Sequence, residues 1–243
     1  MDPSTAHTAF DTTHWSVIVA AGASLDSPHA REALESLCRA YWYPLYAYVR
    51  QRGQTHSDAQ DLTQSFFLQL LDKNWLTQVD RSKGKFRSFL LVAMNHFLAN
   101  EWRHLRAEKR GGQTVLVSLD EESSDERWQL EPATGATPET AFEQRWAAAL
   151  LERVLYRLRA EQVAAGRSRL FDELKVFLVG RKGEVAYADL AARLESTEGA
   201  LKMSVQRLRH RYGEILREEV ANTVSSPDDV EAELRYLLTV LEG

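Results

Sequence analysis

Apolar residues recur at helical spacing along most of the chain, and the two-residue alternation of half-buried strands is almost absent. The helical period runs through 31–50, 58–72, 86–108, 141–165 and 168–179, and resumes in "VAYADLAARLESTEGALKMSVQRLRHRY", residues 185–212. This pattern predicts an all-α fold. Three dipeptides, Ser27-Pro28, Thr137-Pro138 and Ser226-Pro227, each put a capping hydroxyl before a residue preset for the first helical turn. Between 111 and 138 the period fails: Gly111-Gly112 opens the stretch, Pro132 and Gly135 interrupt it, and Asp120, Glu121, Glu122, Asp125, Glu126 and Glu131 face Arg127 as their one counter-charge. The expected architecture is two small helical domains joined by an acidic flexible linker.

Three helical faces stand out on the wheel. From Glu198, residues Leu201, Val205, Leu208 and Tyr212 gather on one side, while Gly199, Lys202, Met203, Gln206, Arg207 and His210 occupy the other. The preceding segment, with Tyr187, Leu190, Ala191 and Leu194, is placed to pack across that apolar back, and Ser196 or Thr197 is placed to cap the second helix. Such a pair has the layout of a helix-turn-helix; an antiparallel helix pair with solvated arginines shares the pattern. In 86–108, Phe86, Phe89, Leu90, Ala93 and Phe97 form an apolar stripe. Ser88, Asn95 and Trp102 line up at seven-residue intervals on another face, beside Arg103. Aromatic stacking, amide hydrogen bonds and neighbouring bases suit unpaired nucleotides, and the Asn95 amide has both a donor and an acceptor for a base edge. In 58–72, Ser57 with Gln60 suggests a capping box, and Leu62, Phe66, Phe67, Leu70 and Leu71 make the buried stripe. Leu68 falls outside it, among Asp61, Gln64 and Ser65, as on a partner-binding face.

Composition narrows the class. At 243 residues, with 44% hydrophobic and 27% charged residues, the chain is expected to be soluble and globular. No window approaches the ~20 apolar residues of a membrane span, and the N-terminus lacks the basic start of a secretory signal, so a cytoplasmic protein is expected. Cys38, on a stripe with Leu34 and Leu37, reads as a buried thiol. The net charge of -5 is unevenly spread. From 81 to 110, Arg81, Lys83, Lys85, Arg87, Arg103, Arg106, Lys109 and Arg110 meet only Glu101 and Glu108, whereas Glu218, Glu219, Asp228, Asp229, Glu231, Glu233 and Glu242 collect towards the end. A local basic strip can hold phosphate whatever the global sign. Enzyme signatures are lacking: Glu101 and His104 have a di-iron spacing without a second such pair, and no phosphate loop, paired-Cys zinc site or serine elbow occurs. No catalytic residue, metal or cofactor is therefore expected.

Taken in order, three segments resemble bacterial RNA polymerase sigma factors of the extracytoplasmic-function type. "SDAQDLTQSFFLQLL" is similar to the family segment that binds the polymerase clamp helices. "GKFRSFLLVAMNHFLANEWRHLRAEKR" resembles the segments that open and read the minus-ten element, and "LAARLESTEGALKMSVQRLRHRYGEIL" the helix-turn-helix that reads the minus-thirty-five element. The resemblance implies an N-terminal extension over 1–30, region two over 31–110, the acidic linker over 111–141, region four with its helix-turn-helix over 142–224, and a C-terminal helical extension over 225–243. It puts Asp61 and Gln64 on polymerase-facing positions, Asn95 near the pocket for a flipped base, and Lys202 and Arg207 on recognition-helix basic positions. With the wheels, it gives polymerase contacts from Asp61, Gln64, Ser65 and Leu68. DNA contacts are expected from Lys85, Arg87, Ser88, Asn95, Trp102, Arg103 and Arg106, and from Lys202, Met203, Gln206, Arg207 and His210. The implied partners are core RNA polymerase and promoter DNA, duplex and melted, with room for an anti-sigma protein. The chain has Met203-Ser204 where the family often has Ser-Arg, so its base preference is its own. A free-standing helix-turn-helix regulator would explain 185–212 but leave Ser88, Asn95, Trp102 and Leu68 without a purpose. The tail, with Val230, Leu234, Leu237, Leu238 and Leu241 at helical spacing, is expected to dock on something.

Overall fold

The computed structural model describes residues 28–72, 85–110, 137–179, 187–224 and 226–242. The expectations for the N-terminal extension, residues 81–84, the linker over 111–136 and the side chains of Leu34, Leu37, Leu71 and Arg106 lie outside the described residues. Among the described residues the fold is all-α: α1 (Pro28–Gln51), α2 (His56–Asp72), α3 (Phe86–Arg110), α4 (Pro138–Ala164), α5 (Ser168–Leu174), α6 (Val176–Val179), α7 (Tyr187–Arg193), α8 (Glu198–Ala221) and α9 (Val230–Glu242), the last entered through a 3-10 turn at Pro227–Asp229.

Short hydroxyl side chains cap several of the helix starts, although α5, with Arg167 at its cap position, begins without one. Thr137 Oγ1 accepts from the Thr140 amide, Thr197 Oγ1 from Ala200, both at 3.2 Å, and Ser226 Oγ from Asp228 at 3.3 Å. The expected box on Ser57 and Gln60 is not what caps α2. The helix begins at His56, so Thr55 takes the cap and accepts from the Asp58 amide at 3.2 Å. The helical run 168–179 is divided at Lys175, where Leu178 bonds back to the Lys175 carbonyl three residues earlier and tightens the turn.

Two apolar cores form, and α4 and α8 pass through both. The first collects Tyr41, Leu45 and Tyr48 of α1, Phe66 and Leu70 of α2, Phe86, Leu90 and Phe97 of α3, Phe142 and Trp146 of α4, Val220 of α8 and Leu237 of α9. The second collects Val154 and Leu158 of α4, Phe171 and Leu174 of α5, Leu190 of α7, and Leu201, Val205, Leu208 and Ile215 of α8. The division between cores thus runs inside α4, whose first half lies along α1. Ion pairs fasten α8 to α4: Arg157 reaches Glu218 and Glu219 at 2.6 Å, and Arg211 takes both oxygens of Glu161 at 2.7 and 2.9 Å.

The tail docks on its own chain. Leu237 is buried and Val230 and Leu234 pack beside it, while Leu238 and Leu241 face solvent. An isolated antiparallel bridge between Lys85 and Val224, with the Phe86 amide donating to the Thr223 carbonyl at 3.1 Å, ties the start of α3 to the segment entering the tail. Much of the late acidic excess is spent internally, since Glu218, Glu219, Glu231 and Glu233 all pair with bases of this chain.

Candidate nucleic-acid and partner interface

The unbroken helix α3 sets Ser88, Asn95 and Trp102 along one side as half-exposed residues, because Phe86, Leu90, Ala93, Met94, Phe97 and Leu98 claim the other side for the core. Trp102 packs partly against that core. Arg103 is exposed and donates to the Ala99 carbonyl at 3.2 Å and to Asn100 Oδ1 at 2.5 Å.

Asn95 is held from behind by α1. Its Oδ1 accepts from the Tyr48 hydroxyl at 2.7 Å and from Arg52 Nη2 at 2.5 Å. The Arg52 guanidinium lies 5.3 Å from the Tyr48 ring centre and 5.5 Å from that of Trp102. The acceptor half of the Asn95 amide is therefore occupied, contrary to the expectation of an amide open both to donate and to accept. Tyr48 and Arg52 lie 47 and 43 residues away in sequence, beyond the reach of any helical wheel.

The bases at the start of α3 are also engaged. Arg87 is only 6% exposed, donating from Nε to Glu233 Oε1 at 2.6 Å and from Nη1 to Glu143 at 2.9 Å, with its guanidinium 4.1 Å from the Tyr236 ring centre. Lys85 Nζ sits 2.8 Å from Glu233 Oε2. Glu233, 1% exposed, is a functional-looking residue that sequence patterning missed, since its partners lie far upstream. Burial alone would raise its pKa; hydrogen bonds and charge from Arg87 and Lys85 outweigh that and hold it below the ordinary carboxylate value.

On α2, Asp61, Gln64, Ser65 and Leu68 are all exposed, Leu68 to 59%, although Ala59, Thr63, Phe66, Phe67 and Leu70 of the same helix are buried. The α7–α8 pair shows the same separation of faces. Leu201, Val205 and Leu208 are buried, whereas Gly199, Lys202, Met203, Gln206, Arg207 and His210 face solvent. The turn is a left-handed cap: Glu195 has φ 50°, and the Ser196 amide donates to the Ala191 carbonyl at 3.0 Å. Lys202 pairs with Glu198 at 3.0 Å and lies 5.4 Å from the Tyr187 ring centre, and His210 Nδ1 is 3.3 Å from Glu214. Arg207 lines a groove with Glu161, Arg167, Ser204 and Arg211.

Burial first, and then Glu35, push the Cys38 thiol up to about 12, so it stays protonated at neutral pH. Among the described residues, no group of three or more His, Cys, Asp and Glu side chains is placed to hold a metal ion, and no helix is long and apolar enough to cross a membrane.

No curated protein and no solved structure matches the chain. A family model described as ECF sigma factor matches residues 30–177, from α1 into α6 and including the faces of α2 and α3; the α7–α8 pair lies beyond the match. That family comprises non-catalytic transcription regulators that work with RNA polymerase and promoter DNA. With more than half of its length matched, the chain belongs to the ECF sigma factor family.

Proposed function

We propose that this chain directs core RNA polymerase to its promoters through three surfaces: the α2 face binds polymerase, the α3 face holds melted minus-ten DNA, and the front of α8 reads the upstream duplex. The observation that carries this assignment is the solvent-facing set Asp61, Gln64, Ser65 and Leu68 on an otherwise packed helix inside the family match. A free-standing regulator has no use for such a face. Ser88, Asn95, Trp102 and Arg103 supply hydrogen bonds, a ring and a charge on the α3 side, and Arg106 continues that helix. Lys85 joins them as a phosphate contact only once Glu233 gives it up, and Arg87 only once both Glu233 and Glu143 do. Lys202, Met203, Gln206, Arg207 and His210 make up the α8 front. Two modest DNA sites on one polymerase-bound chain gain affinity through effective concentration, which lets a net acidic protein read DNA.

Affinity for purified core polymerase tests the assignment. Asp61→Arg and Leu68→Asp should each weaken binding at least ~10-fold, about 1.4 kcal/mol, with thermal melting shifted little because both positions are exposed. Wild-type affinity in both variants would remove the α2 face from the interface.

A further inference from the structure

The tail docks through charge as well as through its apolar stripe. Glu233 of α9 reaches the start of α3 with both carboxylate oxygens: Oε1 accepts from Arg87 Nε at 2.6 Å, and Oε2 accepts from Arg87 Nη2 at 3.3 Å and Lys85 Nζ at 2.8 Å. Tyr236 of the same helix sets its ring centre 4.1 Å from the Arg87 guanidinium and 5.6 Å from Lys85 Nζ. An arginine fork taken side-on by two oxygens, with an ammonium on one of them, is equally a way to hold phosphate.

Burying a carboxylate and a guanidinium forfeits the hydration of both, and apolar side chains often dock a helix at lower cost. Glu233 is nevertheless 1% exposed and Arg87 6%. What an ionic contact adds is exclusion, because donors filled by one anion are closed to another. Beyond Glu233, α9 is held by buried Leu237, by the partly buried Val230 and Leu234, and by an exposed pair between Glu231 and Arg217 at 2.8 Å, of a kind that is worth little. The segment entering the tail is fixed separately, since Val224 bridges to Lys85 and the Thr223 carbonyl accepts from the Phe86 amide.

We propose that α9 is an autoinhibitory latch: docked Glu233 withholds Lys85 from phosphate, and melted promoter DNA must displace the tail to gain that contact. The proposal rests on the assignment of Lys85 to melted DNA made above. Arg87 stays with Glu143, 2.9 Å away, when the tail leaves, so Lys85 is the base that is freed. The bridge at Val224 keeps a released tail beside Lys85 at high effective concentration, ready to dock again.

The experiment assembles the full chain with core polymerase and supplies a promoter fragment mismatched across the minus-ten element. Two occupants of one site weaken each other equally, so hydrogen exchange of the wild-type α9 amides should be slow in the holoenzyme and at least ~10-fold faster once the fragment is bound. Glu233→Gln should exchange fast without DNA and bind the fragment about tenfold more tightly. Partial unfolding lowers affinity, so a gain reports the latch. Glu242→Gln removes the same charge from the exposed end of α9 and should stay within about twofold of wild type. Adding Lys85→Ala to Glu233→Gln should cancel most of the gain and reduce the salt slope by ~0.7 unit, one phosphate on a single strand. Unchanged α9 exchange on DNA binding, release of α9 by polymerase alone, or an equal gain in Glu242→Gln would each overturn the latch. If Lys85→Ala leaves the affinity and slope of Glu233→Gln unaltered, the phosphate assignment itself falls. A loss from Lys85→Ala without any gain from Glu233→Gln would refute the latch and leave that assignment standing.

Discussion

Replacing Glu233 by Gln should destabilise the protein, because it sets an amide among the donors that hold this buried carboxylate. The carboxylate receives three donors: Arg87 Nε at 2.6 Å on Oε1, and Lys85 Nζ at 2.8 Å with Arg87 Nη2 at 3.3 Å on Oε2. A glutamine amide offers one acceptor, and its NH₂ meets a donor on the other side. Stranding a buried charge costs about 3–5 kcal/mol. Here the cost is lower, because Arg87 keeps Glu143 at 2.9 Å and Lys85, with 29% of its side chain exposed, can turn to water. About 2–3 kcal/mol is left, which for a chain of this length lowers Tm by ~5–10 °C. The sign of the pH dependence follows from the depressed folded pKa of Glu233. Its contribution is complete above the unfolded value of ~4.3 and is lost as pH falls through the folded one. Urea unfolding of wild type and Glu233→Gln from neutral pH downward should therefore give two curves that differ by the full amount at pH 7 and converge in acid. A difference under ~0.5 kcal/mol at pH 7, or one that does not shrink in acid, would refute the reasoning.

Two further outcomes can be checked independently. Glu195 sits in the left-handed region at φ 50°, where a side chain costs about 1 kcal/mol, so Glu195→Gly should leave the α7–α8 turn intact and raise thermal stability by up to ~1 kcal/mol; a loss of stability would show that the turn is not strained. Lys202→Ala and Arg207→Ala should each lower the salt slope of holoenzyme binding by about one unit if the side chain meets phosphate, or relax preference at one upstream base pair by ~1–3 kcal/mol if it meets a base; wild-type slope and preference in both would exclude α8 from the DNA.

The elements were legible in the sequence because a helix writes its buried face at a fixed period. Phe86, Leu90, Ala93 and Phe97 declared α3 in this way, and Leu201, Val205 and Leu208 declared the back of α8. Helix ends were less legible, since one residue decides a cap: α2 starts at His56 and so uses Thr55, although Ser57 and Gln60 have the right spacing for a box. Pairings between segments distant in the sequence could not be read at all. Arg87 looked like a free base on a basic strip until Glu233, 146 residues on, closed over it. The Asn95 amide likewise looked open on both sides until Tyr48 and Arg52 were brought beside it by the packing of α1. In each case local composition announced a polar group, and its partner was chosen by tertiary packing that leaves no periodic trace.

Run-off transcription with purified core polymerase on fragmented genomic DNA tests the central claim most directly. Adding this protein should produce discrete transcripts whose start sites share two spaced upstream elements, and the Asp61→Arg variant should produce far fewer of them. Core polymerase giving the same products with and without the protein, while the protein alone still binds specific duplexes, would contradict promoter direction and leave a free-standing DNA-binding regulator in its place.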